Sequence, residues 1–152
     1  MKSSLFFILL FSSFVWANSP ENFKGTWQGT GVYKFKATQN ICDQAEFVFA
    51  GDHSFIEFIS GFRKCGNHFE KFDRVRLDFR DGKFYFGDFV VGEMTGPVVS
   101  LRFSAPEADG KIRHWRMSMR REGKHLVYEE SRTMEGEVTP LISFVGLLIL
   151  QE

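Results

Sequence analysis

Two runs in the last third of the chain carry the side chains best suited to holding a ligand. Between Ile112 and Arg121, Trp115, Met117 and Met119 recur at every second position, and between Lys124 and Met134 the same spacing links Tyr128, Glu130 and Arg132. A period of two puts each set on one face of a strand, and Glu122-Gly123 between the runs reads as a hairpin turn. A two-residue turn there sets Leu126 across from Met119, Tyr128 across from Met117, Glu130 across from Trp115 and Arg132 across from Arg113. If that face points inward it supplies an adaptable apolar wall of Trp and Met. A buried Arg132 requires a partner, which is either Glu130 or the anion of a ligand. Two plainer readings stay open: an internal ion pair that fixes strand register, or a turn one residue longer that sends Tyr128, Glu130 and Arg132 to solvent.

Other chemistry is thinly represented. There is no Gly-x-Ser-x-Gly, His-Glu-x-x-His, phosphate loop or zinc framework. Glu129 and Glu130 are neighbours on a strand and so face opposite ways, which makes them a poor acid–base pair. The reading is therefore of a protein with no catalytic residue, no resident metal and no cofactor. Arg116, Arg120 and Arg121 read as a solvated basic face.

The only cysteines are Cys42 and Cys65. They flank a hairpin formed by Glu46–Phe49 and Phe55–Ile59 about the turn Gly51–Ser54, which brings the two sulfurs close at its open end. A disulfide is expected there, worth roughly 3 kcal/mol by loop-closure entropy; a free thiol pair and half of a metal site are the alternatives.

The start of the chain decides which compartment those cysteines meet. Lys2, the apolar run Leu5–Phe11 and the small-residue end Val15-Trp16-Ala17 read as a secretory signal peptide over residues 1–17, cleaved after Ala17. The expected mature domain is 18–152, exported to an oxidising space, periplasmic or extracellular. An uncleaved anchor is the alternative. The whole chain balances 19 Lys plus Arg against 19 Asp plus Glu, and loss of Lys2 leaves a formal charge of −1, which argues against nucleic acid or an anionic membrane as the main partner.

The elements that must position these residues are strands. Period-two alternation runs through most of the mature chain, and turn residues recur at short intervals. The first strand spans about Gly25–Lys36. A hairpin about Asp81-Gly82 sets Phe79 opposite Phe84 and Leu77 opposite Phe86, with both apolar rows in the core. Val98–Ser104 is a further strand, followed by a loop at Pro106, Asp109 and Gly110. The final run, Leu141–Leu150, is almost wholly apolar, as for a strand buried on both sides or covered by a protein partner, and is too short to cross a membrane as a helix. The fold expected is all-β, a single antiparallel up-and-down barrel of eight to ten strands. A sandwich or an outer-membrane barrel remains an alternative.

Gly25-Thr26-Trp27, followed by Gly29 and Gly31, resembles the opening strand of the calycin barrels: lipocalins, fatty-acid-binding proteins and nitrobindin-like proteins. The resemblance implies a small-molecule-binding barrel with a structural role for Gly25 and Trp27. In lipocalins the tryptophan packs at the closed end under an arginine of the last strand, and the last strand here has none. Fatty-acid-binding proteins hold a carboxylate with an interior Arg-x-Tyr, to which Tyr128 and Arg132 are similar in chemistry but not in spacing or order. Nitrobindin-like barrels bind haem through one histidine. Here His114 and His125 alternate out of the inward row, and His53 and His68 lie in turns. The function expected is binding or carrying a small apolar or amphipathic ligand through Trp115, Met117, Met119, Tyr128, Glu130 and Arg132. A filled barrel serving as an envelope interaction module, and a haem-binding barrel, are the alternatives.

Overall fold

The computed structural model describes residues 19–152, so the signal-peptide reading of 1–17 lies outside the described residues. A short 3-10 turn, Pro20–Phe23, leads into eleven strand segments: β1 (Gly25–Phe35), β2 (Thr38–Asp52), β3 (Phe55–Cys65), β4 (His68–Phe72), β5 (Val75–Arg80), β6 (Lys83–Phe86), β7 (Phe89–Thr95), β8 (Val98–Pro106), β9 (Ile112–Glu122), β10 (His125–Met134) and β11 (Ile142–Leu150). Each pairs antiparallel with its neighbours, β11 returns to β1, and the β2–β3 pairing completes the ring. Segments β4 and β5 lie end to end along one edge of β3 in a single register, from Phe55↔Asp78 to Cys65↔His68. They occupy one place in the wall, which makes this a closed ten-stranded up-and-down barrel, as the alternation predicts.

The base of the barrel is the end that holds the β2–β3, β5–β6, β7–β8 and β9–β10 turns. Phe23, Trp27, Phe84, Val99, Leu126 and Leu148 are buried in the core. The Trp27 indole donates to the Phe23 carbonyl at 2.8 Å. Arg121 of β9 lies over its ring at 5.5 Å from the centroid and reaches the carbonyl oxygens of Asn22 and Gly123. The arginine missing from the last strand is thus supplied by β9, and Arg121 belongs to this packing rather than to a solvated face. Close approach dictates the glycines of β1: a Cβ at Gly29 would overlap the Leu147 carbonyl, and one at Gly31 would strike the Phe144 ring.

Register differs from expectation in instructive ways. The β9–β10 turn is Gly123-Lys124, so Tyr128 faces Met119, Glu130 faces Met117 and Arg132 faces Trp115. This shift moves each partner by two residues, which keeps every side chain on its expected face. The β2–β3 turn is His53-Ser54, with Asp52 opposite Phe55, and two bulges follow, one at Ile59 on β3 and one at Asp43 on β2. Each bulge inverts the alternation of its own strand. Together they bring Cys42 directly opposite Cys65, and the two form a disulfide. At Asp81-Gly82 both residues have positive φ, the backbone of the expected two-residue turn. Phe79 does face Phe84. Phe86 is not in the core, however; it is 56 % exposed, because β6 ends there and the chain turns outward.

Strand β11 is buried on one side only. Phe144, Gly146 and Leu148 point in, whereas Val145, Leu147 and Ile149 are about half exposed on the outer wall. Among the described residues no helix is long and apolar enough to cross a membrane.

Candidate functional site

A gap in the wall defines the site. Strand β6 has only four residues, so the β6–β7 hairpin turns partway up the barrel. Strand β7 pairs with β8 only as far as Gly92↔Leu101, and β5 pairs with β6 only over Asp78–Arg80. Among the described residues, the edge of β4 and the Arg102–Pro106 edge of β8 therefore have no strand between them. Behind this notch lies a cavity of about 490 Å³, within the range that accommodates small organic ligands.

The cavity wall contains all six residues that the alternation singles out: Trp115, Met117, Met119, Tyr128, Glu130 and Arg132. Strands β9 and β10 present them as one inward row, because the two-residue turn preserves parity between the strands. Phe49, Phe58 and Phe72 add aromatic surface from β2, β3 and β4, and Phe86 borders the notch. Behind them Phe47 packs at 4.5 Å from Tyr128 and 5.6 Å from Phe72, ring centre to ring centre. Such aromatic pairs contribute roughly 1 kcal/mol each beyond simple burial and hold the wall rigid.

The polar end is a four-membered ion cluster, of which the sequence reading identified half. Arg132 donates from Nε to Glu130 at 2.5 Å and from Nη2 to Glu70 at 2.6 Å. Arg63, fully buried, donates to Glu70 at 2.9 Å and 2.5 Å and to Glu130 at 3.2 Å. Tyr128 Oη lies 3.4 Å from Glu130. Arg63 also stacks between aromatic faces, 4.8 Å from the Phe144 centroid and 5.0 Å from that of Phe72. The cluster joins β3 and β4 to β10 across the interior, so it caps the cavity on the side of the rim and leaves the notch as the way in.

Electrostatics follow from this pairing. Burial pushes the Glu70 carboxyl up, but Arg63 and Arg132 outweigh that effect and hold it below its usual range. Burial lowers Arg132, and Glu130 and Glu70 more than restore it, so the guanidinium stays charged. Burial, then the Glu130 carboxylate, raises the Tyr128 phenol well above its ordinary value, so it is a neutral hydroxyl at physiological pH.

Arg63 and Glu70 escaped the sequence reading for a physical reason. Ile56 and Phe58 face inward, and simple alternation from them sends Arg63 outward; the Ile59 bulge reverses this. The cysteines give no warning of it, because simple alternation from Phe47 on β2 and from Ile56 on β3 sends Cys42 and Cys65 outward together, still opposite each other. A turn at Gly66-Asn67 then sets Arg63 opposite Glu70, as observed.

His53, His68, His114 and His125 are all exposed, and none lines the cavity. His114 bonds Ser104 at 2.8 Å, and His68 stacks on Tyr33 with centroids 4.7 Å apart. Among the described residues no group of His, Cys, Asp and Glu is arranged to hold a metal ion. No protein-family model matches the chain, and no curated protein matches it significantly.

Proposed function

We propose that this barrel binds, and carries or sequesters, a small apolar or amphipathic molecule. The observation that carries the reading is the notch-accessible cavity of about 490 Å³, whose wall is aromatic and methionine-rich with a polar group of Tyr128, Glu130 and Arg132 at one end. An elongated ligand enters sideways, lays its apolar part against Met117, Met119, Trp115 and the phenylalanines, and directs its polar end to Tyr128, Glu130 and Arg132. Mobile, polarisable methionines suit a wall that must fit ligands of varied shape. The Gly25-Thr26-Trp27 entry strand, the ten-stranded closure and Arg121 over Trp27 support a calycin-like affiliation, with Gly25 and Trp27 as structural residues.

The reading extends to location. The Cys42–Cys65 disulfide and the leader-like residues 1–17 favour export to a periplasm or the extracellular space, where a carrier would act. Protein recovered from its source compartment should begin at Asn18 on N-terminal sequencing. Native mass spectrometry of that material should reveal a co-purifying lipid-sized mass that is released on denaturation. Ligand-free protein that also fails to bind apolar fluorescent probes would rule out the carrier.

A second reading has its own observation. The outer row Val145, Leu147 and Ile149 of β11, with Ile41 exposed on β2, is an apolar strip suited to a protein partner within Leu141–Leu150. Cross-linking in the source compartment should then capture one partner with the native chain and lose it with Leu147→Lys. Equal capture by both chains would remove this reading.

A further inference from the structure

Resting on the cavity-binding reading, we propose that the ligand's polar end is uncharged, an alcohol, ester or amide rather than a carboxylate or phosphate. The chemistry of the ion cluster carries this. Each guanidinium is engaged by two carboxylates, and each carboxylate accepts from two guanidiniums, with both oxygens of Glu70 and both of Glu130 in use. Two arginines and two glutamates sum to zero. The ionisable groups on the cavity wall itself, Lys71, Asp73, Glu130 and Arg132, also balance.

At the buried polar end an anionic head would therefore meet no spare cation, because Arg63 and Arg132 are both engaged; Lys71, the other cation of the wall, is exposed on β4. An anion that takes Nε or Nη2 of Arg132 displaces Glu130 or Glu70, and one that approaches its remaining nitrogen is repelled by both carboxylates, in a site where Glu130 is 5 % exposed. Stripping a buried charge of its counterion is strongly unfavourable. A cationic head fares no better at the buried end, because both carboxylates of the cluster are already shared by arginines; Asp73 is exposed. A neutral head avoids both penalties. The Tyr128 hydroxyl, whose contact to Glu130 is long at 3.4 Å, is the group freest to turn toward it, donating to a carbonyl or accepting from an alcohol.

The test uses one chain length with three heads: 1-decanol, decanamide and decanoate, titrated into delipidated protein at about pH 7.5, where the acid is ionised. The alcohol and the amide should bind, and decanoate should bind at least about tenfold more weakly. Decanoate binding as tightly as the alcohol, or more tightly, overturns the neutral-head inference while leaving the cavity reading intact. Failure of all three to bind overturns both. Glu130→Gln keeps the side chain's shape and removes one negative charge. It should narrow the gap by about tenfold by strengthening decanoate relative to the alcohol and the amide, and an unchanged gap in a folded variant contradicts the proposal. Glu70→Gln makes the same change at a more exposed member of the cluster and serves if Glu130→Gln does not fold.

Discussion

At the scale of single residues, the ion cluster has the greatest leverage on both stability and specificity. Arg63 is wholly buried and answers to Glu70 and Glu130. Arg63→Ala strands one nearly buried carboxylate and one half-buried one, and should destabilise the barrel by about 3 kcal/mol or more in denaturant titrations. Arg63→Met, which fills much of the same space without restoring the charge balance, should recover little of that loss. The cluster also predicts acid sensitivity. A carboxyl held below its unfolded value contributes stability that is present above that value and disappears as pH falls through the folded one. For Glu70 the unfolded reference is 4.5, so its share is present at neutral pH and lost on acidification below that point. Thermal melts of the native chain should fall more steeply in this window than those of Glu70→Gln. Parallel curves would mean that Glu70 contributes nothing to acid lability, leaving it to other carboxylates such as Asp52 and Glu57, which hydrogen bonds also hold low.

At the scale of elements, the bulges of the β2–β3 hairpin connect architecture to chemistry. The extra residue at Ile59 turns Arg63 inward, and the extra residue at Asp43 restores the opposition of Cys42 and Cys65. Breaking that disulfide with Cys42→Ala and Cys65→Ala together should lower stability by about 3 kcal/mol on the chain-entropy account. It should also loosen Arg63, so binding in the cavity should weaken along with stability; unchanged affinity would separate the bridge from the site. Gly29→Ala places a Cβ against the Leu147 carbonyl across the β1–β11 pairing and should reduce thermal stability without altering ligand preference, since neither strand lines the cavity. Alternation alone revealed β9 and β10 and the whole inward row on them, because those strands are free of bulges and a misplaced turn moved their partners by an even step. The same rule could not reveal Arg63 and Glu70, because one bulged residue inverts parity and no local composition marks it. Phe86 is a related case: its apolar character and pairing pointed to the core, whereas the shortness of β6 leaves it at the notch.

At the scale of the whole molecule, the proposed function rests on an incomplete wall. Ten strand positions close the ring, yet the short β6–β7 hairpin leaves the β4 and β8 edges unpaired beside an apolar cavity capped by a neutral ion cluster. Strand count alone does not separate a barrel from a sandwich, but the all-β class and the range of strand number were legible in the sequence, since alternation and turn spacing express them directly. The notch was not, because it depends on where pairing stops rather than on which residues pair. Met117→Trp should fill the space behind it and abolish binding while leaving the fold intact. The most direct test of the account labels the methionine methyl groups with carbon-13 and follows their NMR signals during titration with 1-decanol. Met117 and Met119 line the cavity, whereas Met94 is buried outside it and serves as an internal reference. The account predicts saturable shifts at Met117 and Met119 with Met94 unmoved. No shift at the first two, or equal shifts at all three, would contradict binding in this cavity.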